Sequence, residues 1–271
     1  MEIHKPKPVH GWRELLTEIG VVVVGVCIAL AAEQTVEWFH WHNRVAEARK
    51  AIATETATNI SYGIRRMRYS PCLEKRLDDL AHIVDEASRT GSLPPVGDLG
   101  DFSTNVWATG EWDSLMASQT ASHFSHDELA GISYIYVNVE RATTRTLQEL
   151  EAMARLSTMV GPGRRLDPAS EIQLREALSQ ARWLNRGIVR AGSNIWNVAV
   201  EQKMVFSRDD ARVIADALQN PLFPVTRSRS RIGCPTIGKP LVASYGQAGW
   251  GFALPDAQDM LKHPPQLHIA D

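Results

Sequence analysis

Apolar residues are unevenly spread along the chain, and the longest uninterrupted apolar run lies near the N-terminus. Residues 19–32, IGVVVVGVCIALAA, are fourteen consecutive apolar or small residues. At about 1.5 Å per residue, a helix of this length measures about 21 Å, which is short for a hydrocarbon core of about 30 Å. Taken alone, the run therefore fits a signal peptide, a buried core helix or a membrane anchor.

Aromatic side chains flank this run on both sides, which favours the anchor. They are Trp12, Trp38, Phe39 and Trp41. Trp12 and Trp38 would be about 39 Å apart along a helix, close to the separation of about 40–45 Å between the two interfacial regions of a bilayer. Such aromatic belts are typical of membrane spans. We therefore predict an uncleaved transmembrane helix over residues 12–42, with Glu18 and Glu33 near the edges of the hydrocarbon.

A signal peptide is the main alternative for this segment. The sequence ALA at 29–31 resembles a cleavage site after an apolar region, but Glu14 and Glu18 interrupt the basic segment that normally comes first. Within the run, Gly25, Ala29 and Ala32 recur on one side of a helix. Small residues at this spacing permit close helix packing in lipid, so we predict a packing seam for another copy or another membrane subunit.

The hydrophobic pattern after the belt is helical rather than alternating. One apolar stripe runs through residues 46–67 and is predicted to end before Pro71, and a second helix is predicted over residues 72–91. Longer amphipathic helices are predicted to begin after the N-caps Ser125 and Asp167, and a shorter one after Ser207. For the helix after Ser125 the pattern places Leu147 and Leu150 in the core.

These elements predict an all-α protein in which the N-terminal transmembrane helix continues into an antiparallel α-helical bundle. The predicted organisation is a disordered cytoplasmic tail (1–11), the transmembrane anchor (12–42), the bundle (43–220) and an irregular C-terminal segment rich in proline and glycine (221–271). We expect the C-terminal segment to pack on the bundle.

Composition changes this picture little. A formal charge of −2 and a pI near 6.5 give no reason to expect nucleic acid as a partner. Of the three cysteines, Cys27 lies in the apolar run, which leaves Cys72 and Cys234. Their spacing fits no zinc motif, and in an oxidising compartment they would be candidates for a disulfide.

Basic residues do not decide the orientation of the anchor, because both flanks carry similar numbers of them. The short N-terminal tail and the cysteine pair favour a cytoplasmic N-terminus and a periplasmic body. The predicted location is therefore the bacterial inner membrane, crossed once.

The candidate chemistry is sparse. Glu33, Glu37 and His40 share one helix face, where a metal or proton site is an alternative, but solvation at the membrane interface is the preferred interpretation. Residues 111–123, EWDSLMASQTASH, contain acids, serines and a histidine without the framework of a known hydrolase. The sequence contains no phosphate-binding loop, dinucleotide fingerprint or haem-attachment motif, so we predict no cofactor and no metal.

Three arginines, Arg182, Arg186 and Arg190, recur at helical spacing opposite an apolar stripe, with Trp183 beside them. A solvated face is the simplest interpretation of this pattern. The alternative is a contact face for an acidic partner or for anionic lipid headgroups.

The N-terminal segment resembles the first helix of uncharacterised bacterial single-pass membrane proteins, whose pattern is E-I-x-x-V-x-x-G-x-x-I-A-L. The matching residues are Glu18, Ile19, Val22, Gly25, Ile28, Ala29 and Leu30. The segments SPCLEKRLDDL, WDSLMASQTASHF and GPGRRLDP also resemble parts of hypothetical proteins from alphaproteobacteria. The resemblance implies a membrane location and no established activity.

The sequence therefore predicts a non-enzymatic accessory or structural subunit of a membrane complex or homo-oligomer, in contact with membrane lipid. A periplasmic ligand-binding or sensing bundle that acts through a membrane partner is one alternative. A membrane-anchored hydrolase that uses residues 111–123 is the other.

Overall fold

A computed structural model describes residues 11–97, 99, 106–219 and 255–270 of the chain. These residues are mostly helical, which confirms the predicted all-α class. The helices are α1 (Trp12–Thr90), α2 (Gly110–Ala117), α3 (His126–Leu156), α4 (Pro168–Glu201), α5 (Arg208–Gln219) and α6 (Pro255–Lys262).

Short strands tie segments that are distant in the sequence. Strands β1 (Ser92–Leu93) and β2 (Arg164–Arg165) pair antiparallel, and β3 (Val205–Phe206) and β4 (His268–Ile269) pair parallel. The second pair joins the C-terminus to the turn between α4 and α5. Two 3₁₀ turns, Gln119–His123 and Ser157–Met159, precede and follow α3.

Contact clustering divides the chain into two compact units, Met1–Glu47 and Ala48–Asp271. Helix α1 contributes residues to both units. The second unit is called the body below. The first unit holds the apolar run of α1.

The prediction of a helix end before Pro71 is wrong, because α1 continues through Pro71 to Thr90. Proline has no N–H, so it cannot form the helical hydrogen bond to the carbonyl of Met67, four residues earlier. The Gln258 side chain of α6 takes the place of that donor: its Nε2 donates to the Met67 carbonyl at 2.9 Å. A partner nearly 200 residues away in the sequence thus satisfies the carbonyl that Pro71 leaves without its helical donor.

The predicted helix ends are mostly correct. Ser125 and Asp167 cap α3 and α4 by accepting hydrogen bonds from backbone N–H groups of the first turn. Ser207 and Asp210 bond each other reciprocally at the start of α5. After α1, Gly91 adopts a φ of 73°, the left-handed conformation expected at a glycine C-cap.

The C-terminal segment is less irregular than predicted. Residues 255–262 form α6, and Ala257 and Gln258 of this helix pack on the body. The acidic start and the lysine in the last turn favour this helix. Residues 221–254 of the predicted irregular segment lie outside the described residues.

One hydrophobic cluster of the body is built by the last part of α1, the end of α3 and the first half of α4. It includes Leu77 and Leu80 from α1, Leu156 from α3 and Leu184 from α4, all fully buried. Further along, α1 and α4 approach closely at Gly63 and Gly192. A Cβ on Gly192 would lie 2.8 Å from the Gly63 Cα, so both positions require glycine at this distance.

Candidate functional site

The apolar run of α1 leaves its side chains exposed on every side. Val21, Val22 and Val23 follow one another about 100° apart around the helix and are 68%, 64% and 52% exposed. Within the described residues one helix, α1, is long and apolar enough to cross a membrane, and none of its most apolar window is buried. A signal sequence passes the same test of length and composition.

The predicted belt residues lie at both ends of this run. Trp12 and Trp38 are 71% and 60% exposed, and Phe39 is exposed next to Trp38. Trp38 stacks on the His42 ring at 5.3 Å, and Trp41 donates its indole N–H to Glu37 at 3.3 Å. Each ring thus presents an apolar surface, and the Trp41 N–H and Glu37 provide a polar site near one end of the run.

The predicted seam residues Gly25, Ala29 and Ala32 are all exposed. A Cβ placed on Gly25 would have no neighbour within 4 Å. This differs from the Gly63 and Gly192 pair, where the lack of a side chain serves packing within the chain. No contact within the described chain explains glycine at position 25. Glu18 and Glu33, the predicted edge residues, are exposed as well.

Glu33, Glu37 and His40 share one face of α1 near the end of the apolar run. Over the described ranges, no group of three or more His, Cys, Asp or Glu side chains is arranged to hold a metal ion. Glu37 instead accepts the hydrogen bond from Trp41, and the His40 ring contacts the Trp41 ring edge to face at 5.4 Å.

In the body, Glu55 of α1 holds the first turn of α2. Its carboxylate accepts hydrogen bonds from the backbone N–H groups of Glu111 and Trp112, at 2.8 and 3.2 Å. Tyr136 of α3 donates its hydroxyl to the same carboxylate at 2.5 Å. Burial, together with this hydrogen bond to Glu55, raises the pKa of Tyr136 well above its usual value, so the phenol stays protonated and remains a donor.

One helical turn further, Asn59 fixes the segment before α2. Its side-chain amide donates to the carbonyl of Ala108 at 2.8 Å and accepts from the Ala108 N–H at 2.9 Å. The next residue back, Trp107, is buried and donates its indole N–H to Thr146 of α3 at 3.3 Å. Glu55 and Asn59 together fasten residues 107–112 to α1.

A second buried polar network joins α1, α3 and α4. Arg66 donates to Glu149 at 2.5 Å and to the Asn185 side-chain oxygen at 2.8 Å. Asn185 in turn donates to Ser70 and Glu74. Arg66, Glu149 and Asn185 are all buried, so these bonds compensate the cost of removing a charged pair from water.

Sequence reasoning missed these two networks, although the sequence carries a signal for them. Glu55, Asn59, Arg66 and Ser70 follow each other at spacings of 4, 7 and 4, in phase with the apolar stripe of α1. Polar residues on a core-facing stripe require polar partners. The pattern predicts that partners exist, but it does not identify Tyr136, Glu149 or Asn185.

The three arginines of the predicted contact face fall into two groups. Arg182 pairs with Asp78 at 2.7 Å, and Arg186 lies 3.5 Å from Glu74, both on α1. Arg175 continues this ladder to Asp85 at 2.7 Å. Arg182 and Arg186 therefore contribute to the packing of α4 on α1, whereas Arg190 is exposed and lies near arginines of α3.

The polar residues of 111–123 serve local structure. Asp113 accepts the hydroxyl of Thr109 at 2.9 Å, and the Ser118 side chain accepts from the N–H of Thr120 at 3.2 Å at the start of the 3₁₀ turn. Trp112 stacks on Tyr136 with the rings nearly parallel. These contacts give Asp113 and Ser118 a structural role in their own segment.

Of the two cysteines in the predicted disulfide, Cys72 lies among the described residues. Cys72 lies in α1, one residue after Pro71, and is partly buried. Cys234 lies outside the described residues. The bridge therefore stays a prediction.

Comparison with known proteins gives no relative for this geometry: no family model, curated protein or solved structure matches the chain. The resemblance of the first helix to bacterial single-pass proteins therefore stays a prediction, and a function must be inferred from the residues themselves.

Proposed function

We propose that this protein is a non-enzymatic, single-pass subunit of the bacterial inner membrane. In this proposal α1 anchors the chain, the N-terminus is cytoplasmic, and the body is an antiparallel helical bundle in the periplasm. The subunit packs through the face of Gly25, Ala29 and Ala32 against another copy or a larger membrane complex.

The exposed apolar run of α1 carries this proposal. Its side chains point outward around the whole helix, and monomeric soluble proteins rarely expose so large a continuous apolar surface. Lipid would solvate this surface, and the backbone groups of a helix are already bonded to each other, as a span requires. Tryptophans at both ends of the run add the pattern of an interfacial belt.

The contacts of the body support a structural role. The side chains that most resemble catalytic groups in the body, Glu55, Tyr136 and the buried pair of Arg66 and Glu149, hold helices to one another. In the predicted hydrolase segment, Asp113 accepts a hydrogen bond from the Thr109 hydroxyl and Ser118 caps a 3₁₀ turn. A body fixed in this way suits a partner surface better than a reaction centre.

Cysteine cross-linking in native membranes tests the anchor and its seam. Cys27 lies about 200° around the helix from Gly25, on the opposite side, so the unmodified chain is a built-in control. The seam variant carries both Cys27→Ser and Ala29→Cys, so that its thiol lies on the seam. Cys72 and Cys234 are the same in both chains, so any cross-link through them cancels in the comparison.

We expect the seam variant to form a covalent dimer on mild oxidation and the native chain to form much less. Native mass analysis after mild detergent extraction reports partners other than a second copy. A chain that washes off membranes at alkaline pH contradicts the anchor. Extraction only as a monomer, with equal cross-linking of both chains, contradicts the packing role.

A further inference from the structure

One end of the body holds the residues that follow the apolar run in the chain. The body begins at Ala48, and the next residue, Arg49, binds Glu128 of α3 through two hydrogen bonds, at 2.6 and 2.8 Å. Three residues further along α3, a Cβ on Gly131 would lie 2.4 Å from the Gln202 side chain. The start of α3 and the end of α4 therefore lie at the same end of the body as Arg49. This end, with Arg49, Glu128 and Gln202, is called the Arg49 end below.

Helix α4 finishes at the Arg49 end with a lysine in a conformation that favours glycine. The N–H of Met204 bonds the carbonyl of Ala199 at 3.0 Å, and the N–H of Lys203 bonds that of Val200 at 2.9 Å. These are the two hydrogen bonds of a Schellman motif, in which the residue at the place of Lys203 is left-handed and usually glycine. Lys203 is exposed and has a φ of 52°. A side chain kept at a strained position favours a role for the lysine itself.

A short β-ribbon with exposed apolar side chains follows Lys203. Strand β3 pairs with β4, with Val205 opposite His268 and Phe206 opposite Ile269. Successive side chains of a strand point to opposite faces, so Val205 and Ile269 belong to opposite faces of the ribbon. They are 57% and 50% exposed. Each face of the ribbon thus presents an apolar side chain to the surroundings.

Chain connectivity keeps the Arg49 end close to the proposed belt. Arg49 follows Trp41 by eight residues, which span at most about 28 Å even when fully extended. Ile172, near the start of α4, is 58% exposed and lies about 45 Å along this helix from Gln202. Of these two ends of α4, the one with Lys203 is therefore the one that the chain holds near the lipid.

We propose that the Arg49 end of the body rests on the phospholipid surface, with Val205 and Ile269 in the interfacial layer and Lys203 at the phosphate groups. Apolar side chains gain from leaving water, and a lysine stem can contact apolar surface while its ammonium group stays at headgroup level. Glu201 and Asp127 are also exposed at this end, so its charge is mixed and the contact requires no anionic lipid.

This inference rests on the proposed anchor and deepens it, because it assigns a second lipid contact to the body. It does not depend on the orientation of the anchor, since the Arg49 end follows the apolar run in the chain in either topology.

The test uses the full chain in nanodiscs of phosphatidylcholine that include a phosphatidylcholine with a photoactivatable diazirine just below its headgroup. After irradiation, mass spectrometry of peptides locates the lipid adducts. We expect adducts in residues 19–32 of the anchor and in residues 202–206 and 268–270. The first turns of α4 should carry few adducts, although Ile172 is as exposed as Val205.

Val205→Gln should lower the adduct yield at the Arg49 end about tenfold, as expected when an apolar side chain no longer leaves water. Ile172→Gln is the matched control and should leave that yield unchanged. Lys203→Gly suits the left-handed backbone, so it should keep or raise the stability of the chain in urea and still lower the adduct yield severalfold. A lysine with a structural role alone would leave the yield unchanged.

Adducts in residues 19–32 without an excess at the Arg49 end over the first turns of α4 would overturn this inference and leave the anchor in place. Equal yields for the native, Val205→Gln and Lys203→Gly chains would overturn it as well. If residues 19–32 carry no adducts, the anchor is wrong and so is the lipid contact that rests on it.

Discussion

The glycines at positions 63 and 192 set how closely α1 and α4 approach within the body. A Cβ added to either glycine would lie only 2.8–3.0 Å from the Cα of the other, which is closer than a normal van der Waals contact. The neighbouring atoms are backbone atoms, so no side-chain rotation can relieve the overlap. The helices must separate instead, and the buried network of Arg66 and Asn185 next to this crossing opposes that.

Gly192→Ala should therefore destabilise the body, by about 1–3 kcal/mol, the usual cost of overpacking. Alanine also favours helix formation by about 1 kcal/mol over glycine, which offsets part of this cost. The free energy of unfolding in urea measures the difference.

Gly131→Ala is the control for this substitution. Its Cβ would meet the end of the Gln202 side chain, which is exposed and can move away. We expect this variant to be neutral or slightly more stable. If both alanine variants behave alike, backbone contact at the Gly63 and Gly192 crossing is not what limits the packing.

Arg66 shows the other way in which single residues specify this fold. A buried arginine adds little net stability, but it tolerates few arrangements of its neighbours. Glu149 and Asn185 satisfy it from two different helices at 2.5 and 2.8 Å. A shift of α3 or α4 by one residue would bury the charge without these partners, so the network selects one register.

At the scale of whole elements, α6 allows α1 to continue as a helix through Pro71. The Gln258 side chain supplies the hydrogen bond that Pro71 removes from α1, and Gln258 is the residue of α6 that reaches the Met67 carbonyl. Gln258→Ala should cost about 1 kcal/mol, the usual value of such a bond.

A double-mutant cycle with Pro71→Ala checks this reason. Alanine at position 71 restores the N–H that bonds Met67 within the helix, so Gln258→Ala should then cost clearly less. Urea denaturation of the four chains gives the coupling energy. Equal costs in both backgrounds would mean that α6 stabilises α1 through its other contacts.

The elements that could be predicted from the sequence are those decided by local chemistry. Ser125, Asp167 and Ser207 identify helix starts because the cap and the N–H groups it accepts from lie within three residues. Pro71 misled the prediction, because its compensating partner belongs to α6. Local sequence preferences correctly predict that Pro71 removes a helical hydrogen bond. They cannot show that the side-chain amide of Gln258 replaces that bond.

The core face of α3 was predicted only in part. Leu147 and Leu150 were expected inside but are 59% and 39% exposed, whereas Thr146 and Glu149 are buried. Hydrophobicity alone predicts that Leu147 and Leu150 are buried rather than Thr146 and Glu149. Trp107, in the segment before α2, bonds Thr146, and Arg66 of α1 bonds Glu149, which explains why both are buried. A single sequence does not contain those pairings.

At the scale of the whole molecule, the location of the body and the pairing of Cys72 with Cys234 are linked. A disulfide that closes 161 intervening residues would stabilise the folded chain by about 5 kcal/mol in the chain-entropy model. Such bonds persist in the periplasm and are reduced in the cytoplasm. One labelling experiment on intact cells can therefore test both.

The reagent is a membrane-impermeant maleimide, applied with and without an impermeant reductant. Cys27 lies in the apolar run and should stay unlabelled in lipid. For a periplasmic, bridged body we expect no labelling at first and two labelled cysteines after reduction. Cys72→Ser should expose Cys234 to the reagent without reductant, because it removes the other half of the bridge. Labelling of the native chain without reductant would contradict the bridge and keep the periplasmic location. Thiols that react only after lysis, with or without reductant, would place the body in the cytoplasm and reverse the proposed topology.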